Sequence, residues 1–362
     1  MRTATITFHA SHNYGSMLQA YALQQIIQQL GHDNEIINLR TDQQKRLYGR
    51  IRGPLWKEVL KMVLFPKQYL GAMRKYELFE RFLAEELRLT KEYASLEELR
   101  QAELEYDCFI SGGDQIWNTA PFDFDWSFYL PFTAKKKISY GVSMGPSSES
   151  SVTYRERIKS YLLAYSHIAV REEGTRRIVE QLTGKVIDIT LDPVLLFSKE
   201  EWYQRYPQEP MIKGDYIFVY TPGSFAAIYP YAERLGDWFD MPVIASMPIF
   251  RNKYKHVRNC LAVGPWEFLN LLQHAKLVVS GSYHAVIFSI LFHKPFFAIA
   301  GDKDNRMRTA LENNGLMERT LSWSDFEEKR SQSFQCDFTQ ADEYLVKARE
   351  VSMNYLRNAI EN

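Results

Sequence analysis

The fold is decided near the start of the chain, by the sequence TATITFHASHNYGSMLQAYALQQIIQQLGHDNEIINL over residues 3–39. Residues 3–8 are rich in β-branched side chains, which predicts a strand. Apolar residues then recur at helical spacing between residues 17 and 30, and Gly31 follows where a helix commonly ends. Residues 35–39 again resemble a strand. A strand, a helix and a second strand in this order predict a parallel sheet.

The alternation of strands and helices continues along the chain, is interrupted by a predicted linker, and then resumes. Further strands are predicted at 106–111, 136–143, 167–171 and 187–191, and, after a proline-containing linker at 193–214, at 216–220, 242–246, 276–280 and 295–300. We therefore predict an α/β protein with two Rossmann-like domains facing a cleft. The predicted division is 1–200, with a basic helical insertion at about 45–105, then 201–335, and a C-terminal helix within 336–362 that packs back on the first domain.

Composition excludes several classes of protein. The 362 residues contain 44 Lys and Arg and 44 Asp and Glu, so the formal net charge is zero, and we expect no nucleic-acid partner. The three cysteines, Cys108, Cys260 and Cys336, are too few and too far apart for a disulfide framework, which predicts a cytoplasmic protein. No apolar run is long enough to predict a membrane span, and the N-terminus lacks the pattern of a secretory signal.

One stretch departs from this neutral average. Residues 45–75 hold nine Lys or Arg and a single acid, Glu58, with Trp56 and several aliphatic residues interleaved. Two interpretations remain open. The stretch can form helices that pack their apolar faces on the domain and keep their cations in water. Alternatively, it can make a peripheral contact with an anionic membrane or with a phosphorylated, lipid-linked substrate.

Polar residues follow two of the predicted strands, where ligands gather in open α/β sheets. Residues 280–285 read SGSYHA and open an apolar helix, so His284 and Ser282 lie at a helix N-terminus that favours anions. Residues 111–118 read SGGDQIWN, in which the glycines allow the backbone to approach a ligand closely, and Ser111 and Gly112 are candidate contacts. Here Asp114 and Gln115 can bind hydroxyls, although a tight turn is the competing interpretation.

Other strand ends supply candidate contacts for an anion. Arg171 ends a predicted strand and can clamp a phosphate or carboxylate, although a salt bridge to Glu172 or Glu173 is the alternative. Asn305 and Arg306 follow another strand and form a second candidate clamp. Asn13 lies in the loop after the first strand.

Two short acidic pairs, at residues 123–125 and 302–304, spell D-x-D and can hold the metal of a nucleotide-sugar transferase. The spelling is common, and turn formation explains it equally well. The sequence lacks the glycine-rich signatures of dinucleotide-binding proteins and P-loop enzymes, and also H-E-x-x-H and G-x-S-x-G. We therefore expect neither a metal nor a resident cofactor.

Taken together, these segments resemble the polysaccharide pyruvyl transferase family. The similar stretches, in order between about residues 5 and 320, are NYGSMLQAYAL at 13–23, SGGDQIWN at 111–118, AVREE at 169–173, LDPVLL at 191–196, GPWEF at 264–268, SGSYHAVIFSILFHKPF at 280–296, NR at 305–306 and NGL at 314–316. Gly281, Tyr283, Ala285 and the second glycine of SGGD differ from the residues that the family more often has there.

The resemblance implies a GT-B-like fold and the transfer of pyruvate from phosphoenolpyruvate onto a sugar, with a cyclic ketal and phosphate as products. Phosphoenolpyruvate would be a co-substrate, and a sugar or lipid-linked oligosaccharide would be the acceptor. The family's histidine corresponds to His284 as general acid, and its anion-binding arginine to Arg171. Asp114 is a hypothetical base. A nucleotide-sugar glycosyltransferase and a non-catalytic sugar-binding subunit remain the alternatives.

Overall fold

The computed structural model describes residues 1–51, 53–145, 154–222, 226–247, 252–299 and 304–362. It divides into two compact units. Unit 1 consists of Met1–Arg52, Leu83–Leu196 and Val346–Asn362, and unit 2 consists of Gly53–Phe82 and Phe197–Leu345.

The strands of the described residues, in chain order, are β1 (Arg2–Ile6), β2 (Asp33–Leu39), β3 (Leu89–Tyr93), β4 (Cys108–Gly112), β5 (Lys136–Val142), β6 (His167–Val170), β7 (Asp188–Ile189), β8 (Ile217–Tyr220), β9 (Val243–Ala245), β10 (Val257–Asn259), β11 (Leu277–Ser280), β12 (Phe296–Ile299) and β13 (Thr320–Leu321). The α-helices are α1 (Tyr14–Gln29), α2 (Asp42–Tyr48), α3 (Leu55–Leu64), α4 (Pro66–Glu86), α5 (Leu96–Gln101), α6 (Arg155–Leu162), α7 (Glu173–Thr183), α8 (Lys199–Tyr203), α9 (Tyr229–Phe239), α10 (Pro265–His274), α11 (Tyr283–Leu291), α12 (Asn305–Asn313), α13 (Phe326–Lys329) and α14 (Thr339–Glu361).

Unit 1 is built on a parallel sheet with the strand order β3-β2-β1-β4-β5-β6-β7. The central strands are buried along their length and carry few charges, as expected for a sheet covered on both faces. The C-terminal part of α14 is fixed to this sheet. The Tyr355 hydroxyl donates to the Ser139 carbonyl at 2.9 Å, and the Ser352 hydroxyl accepts from the Leu191 amide at 2.9 Å.

Unit 2 repeats the plan with the strand order β10-β9-β8-β11-β12-β13, again with parallel pairing. In each unit the chain first adds strands on one side of its first strand and then crosses to the other side. The order reverses between β1 and β4 in unit 1, and between β8 and β11 in unit 2. Loops diverge at such a reversal and leave a crevice at the carboxyl ends of the strands, where ligands bind in open α/β sheets.

The structure divides the chain differently from the sequence-based boundaries. The second part of unit 2 runs over Phe197–Leu345 and not over 201–335. The larger difference concerns a segment of the predicted insertion. Residues 53–82, which we placed in an insertion of the first domain, belong to unit 2. The reason is packing by α4. The Phe82 ring meets the Trp266 ring edge-to-face at 4.9 Å, and Gly71 lies against the Leu261 side chain.

The sequence pattern misses three strands. It places residues 89–93 in a charged helical stretch and predicts no strand at 257–259 or 320–321, yet these residues form β3, β10 and β13. The proposed linker at 193–214 contains the short helix α8. Phe225 and Ala300, at the ends of a predicted helix and strand, lie outside the described residues.

The end of β4 packs closely against α1. A Cβ atom built on Gly112 would lie 2.2 Å from Cδ2 of Leu23, whose side chain is fully buried. The glycine therefore makes room for the side chain of a helix residue, and its contact with a ligand stays a prediction.

Replacing Gly112 with alanine should therefore destabilise the protein. We expect Gly112→Ala to lower the free energy of unfolding by about 1–3 kcal/mol, as overpacking of a core does, measured by urea denaturation. Gly174→Ala is the matched control, since nothing lies within 4 Å of its Cβ position and it stands in α7. That variant should be neutral or slightly more stable. Wild-type stability of Gly112→Ala would refute the packing role.

Candidate functional site

A cluster of buried charges lies at the carboxyl ends of the strands of unit 1. Arg171, directly after β6, makes an ion pair of 2.5 Å with Asp192, which follows β7. Its guanidinium also lies 3.6 Å from Asp114 and 3.8 Å from Glu172. All four side chains are buried or nearly so. Three carboxylates around one guanidinium leave the cluster with a formal charge of minus two.

Asp114 is fixed from three directions. Its Oδ2 accepts a hydrogen bond of 2.5 Å from the Ser16 hydroxyl in α1, its Oδ1 faces Arg171, and its carbonyl accepts from the Ser143 amide at 2.9 Å. Its backbone has φ +45°, a left-handed conformation that aspartate tolerates better than most residues. The carboxylate thus lies at the reversal between β1 and β4, in a rigid setting.

The remaining candidates of unit 1 have structural partners. Asn13 is the N-cap of α1 and accepts from the Gly15 amide at 3.0 Å. Ser111 is fully buried, with its hydroxyl 2.7 Å from both the Phe128 carbonyl and the Tyr165 hydroxyl. These contacts give both residues structural roles, and their binding of substrate stays a prediction. Gln115 is partly exposed and accepts from the Asn118 amide at 3.0 Å.

Unit 2 places His284 at its own strand reversal. Ser282 is the N-cap of α11 and His284 lies in the first turn, directly after β11. The first N–H groups of a helix have no carbonyl partner within it, and with the helix dipole they attract anions. The His284 side chain is 5 % exposed, and its ring meets the Tyr283 ring edge-to-face at 5.3 Å.

Arg306 approaches the same helix start. Its guanidinium lies 5.5 Å from the centre of the Tyr283 ring, the residue next to His284. Two nitrogens of Arg306 donate to the Asp304 carboxylate, at 3.2 and 2.8 Å. Burial raises the pKa of Asp304, but the charge and hydrogen bonds of Arg306 outweigh it and hold that pKa below its usual value. Asn305 is exposed and accepts from Arg308.

The two arginines therefore have different surroundings. Arg171 lies within 4 Å of three carboxylates, whereas Arg306 pairs with Asp304 beside a helix N-terminus. The contacts of Arg171 include the salt bridge to Glu172 that the sequence analysis gave as an alternative. Both arginines remain predicted contacts for an anion.

The acidic pairs have roles in turns and caps. Asp123 accepts from the Tyr48 hydroxyl at 2.6 Å, and Asp125 caps a short helix. Asp304 caps α12, whereas Asp302 lies outside the described residues. Within the described ranges, no group of three His, Cys, Asp or Glu residues could hold a metal ion, and no helix is long and apolar enough to cross a membrane.

Sequence reasoning missed the partners that complete these clusters. Asp192 was recognised only as part of a similar stretch, although it follows a strand and the strand-end rule applies to it. Ser16 gave no signal, because its contact with Asp114 joins residues 98 positions apart. Tyr283 was noted as a departure and not as the aromatic surface that faces Arg306.

Comparison with known proteins gives a family and a fold. A family model described as polysaccharide pyruvyl transferase matches residues 13–303. No curated protein matches the sequence.

Several solved structures share the architecture at low sequence identity. A UDP-N-acetylglucosamine 2-epimerase from Listeria monocytogenes has a TM-score of 0.57 at 9% identity and covers 96% of this chain and 94% of its own. The MnaA–UDP co-structure from S. aureus has a TM-score of 0.58 at 10% identity, covering 98% and 92%. The UDP-GlcNAc 2-epimerase from Neisseria meningitidis bound to UDP-GlcNAc scores 0.53 at 12%, covering 100% and 98%. The two units therefore have the GT-B fold, as the sequence predicted.

Removing the guanidinium of Arg171 should leave three buried carboxylates without a cation. We expect Arg171→Met to lower the free energy of unfolding at neutral pH by about 3–5 kcal/mol. Urea denaturation at neutral pH measures this change.

Arg176→Met is the matched control, because Arg176 makes a partly exposed salt bridge to Glu173 one turn away. The variant's loss of stability should stay below about 1 kcal/mol. A loss for Arg171→Met that is equally small would contradict the electrostatic role.

Proposed function

The chain belongs to the polysaccharide pyruvyl transferase family, and from this premise we propose that it transfers pyruvate from phosphoenolpyruvate onto two hydroxyls of a sugar. The sugar would be part of a surface-polysaccharide precursor. The proposal rests on the position of His284, which lies in the first turn of α11 at the strand reversal of unit 2. Arg306 lies beside the ring of the adjacent residue, Tyr283.

The reaction balances without an external oxidant or reductant. A proton adds to C3 of phosphoenolpyruvate, and positive charge develops at C2. One sugar hydroxyl attacks C2 and loses its proton, and the C2–O bond to phosphate breaks. The second hydroxyl attacks the same carbon and closes the ketal. Of the two protons that the sugar loses, one balances the proton now on C3 and the other leaves with the phosphate.

We assign the first proton transfer to His284. Imidazole exchanges protons near neutral pH, which suits a general acid. A phosphate bound at the helix start would favour the protonated ring, because an adjacent anion stabilises the imidazolium charge. The shielding of the ring from bulk water would protect the cationic character at C2 from hydrolysis.

The donor anion would be held by the same end of unit 2. Arg306 supplies a guanidinium, Ser282 a hydroxyl at the N-cap and α11 its first N–H groups. Asn305, exposed in the first turn of α12, is a further candidate contact. Arg306 would exchange part of its pairing with Asp304 for the phosphate or the carboxylate of the donor.

In this proposal, residues of unit 1 would bind the sugar acceptor. Asp114 can accept a proton from a hydroxyl, with Ser16 and Arg171 fixing its two carboxylate oxygens. In this proposal Arg171 is a positioning residue for Asp114 and not a clamp for the donor. Gln115, partly exposed beside Asp114, is a candidate contact for a second hydroxyl.

The acceptor is proposed to be a sugar or a lipid-linked oligosaccharide, and the location the cytoplasm, where phosphoenolpyruvate is made. A lipid-linked acceptor would bring the protein to the inner face of a membrane, which the basic stretch at 45–75 could contact.

One competing function has an observation in its favour. Solved structures of similar fold contain UDP or UDP-GlcNAc, so a nucleotide-sugar reaction on this fold is the second candidate. It predicts tight binding of a uridine diphosphate and no dependence on phosphoenolpyruvate. Isothermal titration with each compound separates the two, because only the proposed donor should bind under the pyruvyl-transfer hypothesis.

Replacing His284 with asparagine tests the general acid. Acceptor-dependent release of phosphate from phosphoenolpyruvate should fall by about 10²–10⁴-fold in His284→Asn, because asparagine keeps a polar side chain and has no proton to transfer. The assay uses a panel of galactose-, mannose- and glucosamine-containing acceptors. His293→Asn is the matched control, as His293 is half-exposed and pairs with Asp342 at 2.8 Å. Near-normal turnover of His284→Asn, with wild-type circular dichroism, would refute the assigned role.

Arg306→Gln should weaken binding of the donor. Loss of a charged hydrogen bond to phosphate corresponds to an increase of about 10–100-fold in the KM for phosphoenolpyruvate, with a smaller change in kcat. Arg308→Gln removes a guanidinium from an exposed position two residues further along α12 and should leave KM within about twofold. An unchanged KM in Arg306→Gln would place the anion elsewhere.

A further inference from the structure

The helix α3 exposes its apolar residues and buries a charged one. Its apolar residues cover slightly more than half of its circumference, and every one of them is exposed: Leu55, Trp56, Val59, Leu60, Met62, Val63 and Leu64. Trp56 is 63% and Val63 is 67% exposed. The buried residue of the helix is the acid Glu58. Surface helices of globular proteins normally bury the apolar face, so this arrangement leaves a contiguous apolar surface facing outward.

Cations border this apolar surface. Lys57 and Lys61 occupy the other side of the helix and are exposed, and Glu58 accepts from the Lys61 ammonium at 2.8 Å. Along the sequence, residues 45–75 hold nine Lys or Arg and one acid, and within unit 2 Lys67 follows α3 and is exposed. The apolar face of α3 therefore stands beside exposed lysines.

The exposure of α3 has a structural cause within unit 2. The following helix, α4, is the part that packs, with Phe82 against Trp266 and Gly71 against Leu261. The Lys75 ammonium lies 3.6 Å from the Met247 sulfur. Because α4 makes these contacts, it holds α3 at the surface without requiring α3 to bury its own apolar side chains.

We propose that α3 docks the protein on an anionic lipid bilayer, with its axis in the plane of the interface. Leucine, valine and tryptophan side chains on one face would enter the boundary between headgroups and acyl chains. Lys57, at the edge of the apolar face, would reach the lipid phosphates, as long basic side chains do at membrane surfaces. This inference goes beyond the proposed reaction and does not depend on it.

A second copy of the chain is the less suitable occupant. A symmetric dimer places the same surface of both copies in contact. The basic residues around α3 would then face an identical basic set, and like charges across an interface oppose association. An anionic bilayer matches both properties of the surface, its apolar face and its positive border.

Co-sedimentation of the full chain with vesicles tests the proposal. The wild-type protein should bind vesicles of phosphatidylcholine containing one-third phosphatidylglycerol and bind pure phosphatidylcholine at least tenfold more weakly. Val63→Asp, which puts a charge in the centre of the apolar face, and Lys57→Glu, which reverses a charge at its border, should each lower binding about tenfold or more. Binding should also weaken in about 1 M salt.

Val346→Asp is the matched control, because Val346 is 64% exposed on α14 and should bind like the wild type. All four proteins are first compared by circular dichroism and by sedimentation velocity. Absence of the wild-type protein from anionic vesicles at low salt would overturn the proposal, and so would equal binding by Val63→Asp. A wild-type dimer that Val63→Asp dissociates, without vesicle binding, would identify a second copy as the occupant. Turnover of a water-soluble acceptor is measured separately, so failure of the reaction and failure of docking are distinguishable.

Discussion

Both units depend on one constraint, the parallel pairing of neighbouring strands. Parallel strands need a crossover connection, and every carboxyl end therefore lies along the same edge of a sheet. In unit 1 the central strand β1 pairs with β2 on one side and β4 on the other, and in unit 2 β8 pairs with β9 and β11. Asp114 and His284 follow β4 and β11 directly. Their places follow from strand order before any side-chain contact is considered.

Electrostatics then distinguishes the two edges. The edge of unit 1 gathers Asp114, Asp192 and Glu172 around a single guanidinium, whereas the edge of unit 2 presents a helix N-terminus with the balanced pair Asp304 and Arg306. A negative cluster suits the hydroxyl groups of a sugar and a neutral-to-positive one suits a phosphate. Two units of the same fold therefore differ in the ligands that they favour, because different charged residues follow their strands.

The sequence predicted the elements whose pattern is local and missed those whose stability comes from a partner. β1, α1 and α10 have clear periodicity and were found. β3 and β10 are the outermost strands of their sheets; β3 carries Lys91 and Glu92, and β10 has three residues. Their state is decided by pairing with β2 and β9, which a single sequence does not display. For the same reason Asp192 and Ser16, distant in sequence from Asp114, were not recognised as its neighbours.

The two helices of the segment at 53–82 differ in how they pack. The segment lies in sequence between β2 and β3 of unit 1, yet it belongs to unit 2, because α4 packs against Trp266 and Leu261. The sequence analysis offered two alternatives for this stretch, apolar faces packed on the domain or contact with an anionic surface. α4 has contacts of the first kind. α3 does not, since its leucines, valines and tryptophan remain exposed while Glu58 is buried. An exposed apolar face lowers solubility and promotes association, and the docking proposed for α3 would cover this face while Lys57 stays at its border.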